Sequence, residues 1–382
     1  MSGATATVDL APLLGVLAVG TCVALVPLAW FWRRARGDAP ALRLQAFAWF
    51  VLFLSFDLVL LGAFTRLSDS GLGCPDWPGC YGHASPIGAS GHIAAAEAAV
   101  PTGAVTTTKA WIEMLHRYSA TAIGALVAVL AGLAIRAARR SGGRIGSGWA
   151  LLTLVWICVQ GAFGALTVAW RLYPAIVSLH LLGGVGLLAL LAIQAERYAP
   201  RPLSLPAGMR AGLIAVAVLT VVQIALGAWV SSNYAVLACT DFPTCQGSWW
   251  PQMDAGEGFV VRRPLGVGSD GNLPFAALTA IHMAHRLGAY VVIAAVVALA
   301  WRLHRGGAAT RPWALALLGL IAWQTASGLG NVLLGWPLAA ALAHTAGAAA
   351  LVVVLTVLIG RSAAPRAVAN SVDAGRARAL AS

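Results

Sequence analysis

Charge is what this chain has least of: only 10% of its 382 residues are Asp, Glu, Lys or Arg, against roughly 25% in a soluble domain. That scarcity excludes a water-surrounded unit of this length, because too few charged side chains exist to cover its surface. Acidic residues are scarcer still, 13 against 25 basic ones, and Lys109 is the single lysine. The net charge of +12 does not imply nucleic acid, since no hydrophilic segment gathers the arginines into a face that could meet phosphates. What is abundant is apolar. Hydrophobic residues make up 59% of the chain and mean hydropathy is +0.80, so membrane lipid is the solvent for most of it. The first apolar run is too long for a cleavable signal and lacks a basic leader, and a bacterial plasma (inner) membrane is the expected location.

Nine apolar runs can each cross a bilayer at helical rise, at about 10–32, 42–65, 111–136, 149–170, 174–195, 209–232, 277–303, 312–334 and 337–361. Arginines collect at alternate ends of these runs. They begin with Arg33, Arg34, Arg36 and Arg43, continue through Arg136, Arg139, Arg140 and Arg144, and finish with Arg361, Arg366, Arg376 and Arg378. By the positive-inside rule that side is cytoplasmic. The N-terminus then lies outside, the C-terminus inside, and the two long loops, about 66–110 and 233–276, on the outer face.

Those loops share the pattern C-x-D-aromatic-P-x-C, at Cys74 to Cys80 and Cys239 to Cys245. An oxidising exterior permits a disulfide in each. Cys239–Cys245 is read as a staple; Cys74–Cys80 is left open between a staple and a pair that passes electrons or covers a substrate. Cys22 and Cys158 lie in apolar runs and are read as packing residues. The loops belong to a longer duplication. Each precedes a helix with His-Arg near its outer end, His116-Arg117 and His285-Arg286; next comes a helix with a central glutamine, Gln160 or Gln324, and then one with a single histidine, His180 or His344. The expected fold is therefore an all-α integral membrane protein of two pseudo-symmetric four-helix bundles plus one extra N-terminal transmembrane helix. Its segments are 1–41 (extra helix and connector, an added anchor), 42–208, 209–361, and a disordered cytoplasmic tail over 362–382.

Intramembrane histidines are costly unless they face the bundle interior and find partners. Two on facing helices can supply both axial nitrogens of a haem iron; the bland alternative is four histidines hydrogen-bonded in helix contacts. The halves differ three residues before the His-Arg histidine, where Glu113 stands in the first and His282 in the second. Glu113 shares a helix face with His116 and is a candidate for proton transfer, against a structural carboxylate paired with Arg117 or Arg66. This asymmetry suggests a reactive haem in the first half and an electron-handling haem in the second. Asp57 is a candidate proton-path residue or salt-bridge partner. Arg117 and Arg286 are candidates for pairing with haem propionates.

Glu113-Met-Leu-His116-Arg117, Thr65-Arg66-Leu-Ser-Asp-Ser-Gly-Leu-Gly-Cys74-Pro-Asp-Trp-Pro-Gly-Cys80, Gly227-Ala-Trp-Val-Ser-Ser-Asn-Tyr and Ala343-His344 resemble the haem A synthase family over about 42–361. The resemblance implies an enzyme that oxidises the C8 methyl of haem O to the formyl group of haem A, for use in haem-copper terminal oxidases. It implies substrate haem O at His116 and His180 and a haem b cofactor (iron protoporphyrin IX) at His285 and His344. It further implies an essential acid at Glu113 and cysteines, Cys74 and Cys80, that matter to turnover. Haem O synthase, an electron acceptor such as a quinone, and an oligomer are compatible partners. The extra N-terminal helix and Asp57 depart from the family pattern. Two rival classes stay open on residues alone: a membrane thiol/quinone oxidoreductase using the external cysteines, and a non-catalytic dihaem b-type cytochrome.

Overall fold

The computed structural model describes residues 9–143, 145–206, 208–262 and 273–362. The expected tail beyond residue 362, and with it Arg366, Arg376 and Arg378, lies outside the described residues, as does Arg144. The described residues form α1 (Ala11–Arg34), α2 (Pro40–Leu67), α3 (Ser90–Ala99), α4 (Thr107–Arg140), α5 (Gly148–Ala169), α6 (Pro174–Tyr198), α7 (Met209–Ser232), a 3-10 turn (Ala235–Ala238), α8 (Ala255–Gly258), α9 (Phe275–Arg305), α10 (Arg311–Leu333) and α11 (Leu338–Ser362). No strand occurs among them. Nine of these helices, all but α3 and α8, are long and apolar enough to cross a membrane, so this is an all-α, multi-pass membrane protein. Their bounds follow those expected from hydropathy to within a few residues; α3, inside the first long loop, was not foreseen.

Local chemistry sets the helix ends. Pro40 and Pro174 open α2 and α6, where the missing N–H costs nothing. The Thr106 hydroxyl caps α4 by accepting from the Lys109 N–H at 3.2 Å. Arginines occupy the last turns of α1, α4, α6, α9 and α11, where a positive charge is favourable to the helix dipole. The same residues are the topological signal.

Helices α2, α4, α5 and α6 contact one another in a ring, and so do α7, α9, α10 and α11; α6 and α2 touch α7 and α11 across the junction. The packed cores sit toward the arginine-bearing ends. Phe47, Leu126, Leu188 and Leu191 anchor one; Leu213, Val296, Leu317 and Leu355 anchor the other. On that side, buried Glu196 accepts from Arg361 at 2.9 and 3.1 Å, tying α6 to α11. At the opposite end Arg66 donates to the Ser231 carbonyl at 2.6 Å and stacks over Tyr234 at 4.1 Å.

The first helix does more than anchor. It lies along α4, and at Gly20 an added Cβ would stand 2.5 Å from Thr121, so the glycine permits close approach. Val16 joins the cluster of Cys74, Cys80, Ile93, Met114 and Tyr118. Helix α1 thus backs the first cysteine loop, a contact with no counterpart at the second among the described residues.

Candidate functional site

The two cysteine loops are built alike. Cys74–Cys80 and Cys239–Cys245 are disulfides with S–S distances of 2.10 and 2.01 Å. After each comes a tight turn, Tyr81-Gly82 (φ 49° and 72°) and Gln246-Gly247 (φ 55° and 71°); two successive left-handed residues are the pattern for which glycine is favoured second. The aspartate two residues after the first cysteine accepts both turn N–H groups. Asp76 takes Tyr81 and Gly82 at 2.6 and 2.7 Å, and Asp241 takes Gln246 and Gly247 at 2.7 and 3.0 Å. Asp241 also accepts from the Thr244 hydroxyl, which with the Gly247 N–H holds its carboxyl below the ordinary value.

Beneath each loop lies the arginine of the His-Arg pair. Arg117 donates to the carbonyls of Asp76, Pro78 and Gly79, and Arg286 to those of Asp241, Pro243 and Thr244. Both guanidiniums, read from the sequence as candidate propionate partners, are engaged in holding their loops. Glu113 is buried against the first loop, accepting from the Cys74 N–H at 2.8 Å and from Arg117. Its counterpart His282 instead meets the Ala235 carbonyl at 3.0 Å and Arg286 at 3.4 Å. Cys74, Glu113 and Arg117 thus form one connected group. Asp57 stands apart from it: the residue is exposed on α2, with no hydrogen bond or ion pair among the described residues.

The histidines come in pairs. His285 on α9 and His344 on α11 have ring centres 6.4 Å apart, nearly perpendicular at 81°. Two imidazoles bound end-on to one metal at about 2.0 Å, each ring centre roughly 1.1 Å further out, would be about 6.2 Å apart; the spacing fits an axial pair. The Ser327 hydroxyl donates to the Trp323 carbonyl at 2.8 Å and lies 3.1 Å from His344 Nδ1. It therefore accepts from Nδ1–H and leaves the Nε2 lone pair for a metal. His116 on α4 and His180 on α6 hold the corresponding positions in the first ring of helices.

Each imidazole faces a glycine on the adjacent helix. A Cβ would lie 3.0 Å from His116 at Gly62, 3.4 Å from His180 at Gly164, 2.9 Å from His285 at Gly227 and 3.2 Å from His344 at Gly328. Four residues before the glycine, three of the four helices carry a glutamine whose amide donates to the histidine's own carbonyl. Gln160 reaches His180 at 2.8 Å, Gln223 reaches His285 at 2.8 Å and Gln324 reaches His344 at 3.0 Å. Gln223 was not singled out from the sequence, although Gln223-x-x-x-Gly227 repeats the spacing of Gln160 and Gly164.

Fold and site define a class: a helical membrane protein with four histidines on its long helices, two disulfide-closed loops, and, among the described residues, a buried acid beneath the first loop where the second has a histidine. A family model described as cytochrome oxidase assembly protein matches residues 45–356. The chain is 37% identical to a heme A synthase of Shewanella oneidensis over 310 residues, 79% of this chain and 91% of that one. It is 30% identical to heme A synthases of Halalkalibacterium halodurans (75% of this chain, 86% of that) and Rhizorhabdus wittichii (84% and 95%). The chain belongs to this cytochrome oxidase assembly family.

Proposed function

We infer that the chain is a haem A synthase, which oxidises the C8 methyl group of haem O to the formyl group of haem A. The observation that carries this reading is the asymmetry: two paired-imidazole sites, of which only the His116/His180 pair has a carboxylate, Glu113, on the same helix face. We assign haem O to His116 and His180, and haem b to His285 and His344. The 6.4 Å spacing and the freed Nε2 of His344 support the second assignment. When bound, haem b supplies one-electron redox chemistry.

The net change converts the methyl group and one water to the formyl group, four protons and four electrons, with a quinone-class molecule as acceptor. Glu113 is the group placed to take the protons. Its orientation is fixed from three sides, by the Cys74 N–H, by Arg117 and by its own helix. Arg117 keeps the loop closed over it, and the disulfide keeps the Cys74 N–H in place. The loops belong on the outer face of a bacterial plasma membrane, with the N-terminus outside and the C-terminus inside. The last-turn arginines and the oxidised cysteines support this. Haem O synthase is the natural donor of the substrate, since haem O is too apolar to cross water freely.

The test is Glu113→Gln, which keeps an acceptor for Cys74 and removes the base. The variant should keep its haem absorption while pigment extracts from cells contain haem O in place of haem A. Undiminished haem A would remove Glu113 from the reaction.

A further inference from the structure

The four histidines sit in four copies of one helix-pair arrangement: a Gln-x-x-x-Gly helix against a His-x-x-Gly helix. The copies are Gln160/Gly164 with His180/Gly183, Gln223/Gly227 with His285/Gly288, and Gln324/Gly328 with His344/Gly347. The glycine three residues after the histidine makes room for the facing helix: an added Cβ at Gly183 or Gly288 would collide with the Gln160 or Gln223 amide, and one at Gly347 would stand 2.6 Å from Trp323 and 3.3 Å from Gln324. In the fourth copy Gly62 still faces His116 at 3.0 Å, but Leu58 holds the glutamine position and Ser119 the second glycine position. The consequence is visible at the ring. Nδ1 of His285 lies 3.0 Å from Gln223, that of His344 3.1 Å from Ser327 and that of His180 3.5 Å from Gln160. His116 Nδ1 is buried with no hydrogen-bond partner among the described residues.

A ligating imidazole is normally held in tilt by a contact at its second nitrogen: for His344 that contact is the Ser327 hydroxyl, for His285 and His180 it is the glutamine NH2 that also donates to the histidine's own carbonyl, and His116 has none among the described residues. We propose that His116 is the exchangeable ligand of its pair, the imidazole that lets go so that haem substrate enters and product leaves, while His180 holds on. This rests on the assignment of haem to the histidine pairs. It matches the different demands on the two sites, since a substrate must depart after each turnover and a resident cofactor must not. It also puts the open face on the side of Glu113, which shares the helix face of His116.

The test uses the full chain in detergent, loaded with ferric haem B and read by low-temperature electron paramagnetic resonance and visible absorption. One low-spin haem and one high-spin or readily lost haem are expected, with added imidazole converting the latter to low-spin. Leu58→Gln/Ser119→Gly, which rebuilds the clamp, should make that haem low-spin, insensitive to imidazole, and slower to transfer to apomyoglobin by about 10–100-fold. The reciprocal Gln223→Leu/Gly288→Ser should loosen the other haem in the same measure, which guards against a single variant that fails to fold. Two tightly held low-spin haems in the unaltered chain, with neither variant changing spin state or transfer rate, would overturn the proposal and leave the haem assignment standing. A chain that takes up only one haem B, with Leu58→Gln/Ser119→Gly restoring no second, would remove both.

Discussion

The glycines facing the histidines give a graded perturbation. At Gly227 a Cβ would stand 2.9 Å from Cε1 of His285, and at Gly164 it would stand 3.4 Å from Cε1 of His180. Optimal carbon–carbon contact is about 3.5–4.0 Å, so Gly164→Ala adds a nearly ordinary contact and Gly227→Ala forces a shift of about half an ångström. The His285 ring has little room to retreat, because its carbonyl and its Nδ1 are both against Gln223. Overpacking of this kind costs about 1–3 kcal/mol. Since the ring must move off its axis, the cost should fall on haem binding, as roughly 5- to 150-fold weaker retention. Haem transfer to apomyoglobin from Gly227→Ala and Gly164→Ala, with melting temperatures measured alongside, separates a local effect from general instability. Equal retention in both variants would refute the steric argument; equal loss of melting temperature without loss of haem would relocate it to the fold.

Three further outcomes follow from the loops and the junction. Both disulfides have a sequence separation of 6, so replacing either pair by serine should cost about 2 kcal/mol and lower the melting temperature alike. Haem A yield should fall further for Cys74→Ser/Cys80→Ser, because the Cys74 N–H orients Glu113, and equal yields would argue against that. For Asp241, whose folded-state pKa is depressed, the stabilisation is complete above about pH 4 and is lost as pH falls through the lower folded value. The melting difference between the unaltered chain and Asp241→Asn should therefore shrink between pH 6 and 3, and a constant difference would remove the carboxylate from the loop's stability. Glu196→Gln, breaking a pair in which the glutamate is 4% exposed, should cost roughly 2 kcal/mol with both haem spectra intact; an unchanged melt would mean the pair contributes nothing.

Much of this architecture could be read from residue type alone, for a definite reason. Apolar runs and arginine-rich ends are set by the bilayer, whose thickness and charge rule act on every helix independently of its neighbours. The four histidines stood out as candidates because the duplication printed them twice, and the structure brings His285 and His344 together. What escaped the sequence depends on where side chains point across a contact. Arg117 and Arg286 read as free cations near propionates, yet their forks match the ring of loop carbonyls above them. Asp57 reads as an intramembrane acid open to a salt bridge or a proton path, and the 3.6-residue period carries it to the exposed side of α2, while Gly62 and Val59 face the bundle. Helix α1 reads as an anchor because nothing in its sequence records the Gly20 and Val16 contacts that seat it against α4 and the first loop.

The glutamines show how far the duplication reaches. Two halves of four helices explain Gln160 with Gln324 and His180 with His344, but they do not explain why Gln223 in α7 holds His285 as Gln160 in α5 holds His180. A helix pair as the unit explains both: glutamine and glycine on one member, histidine and glycine on the other, whether the connection is a short turn as between α5 and α6 or a long loop as between α7 and α9. On that scheme the first pair, α2 with α4, is the one that has lost its clamp. Its loop also has Glu113 of α4 at the underside and α1 at its back. A missing clamp and an acid at the same imidazole both suit the role proposed for this site, which is to act on a haem rather than to hold one.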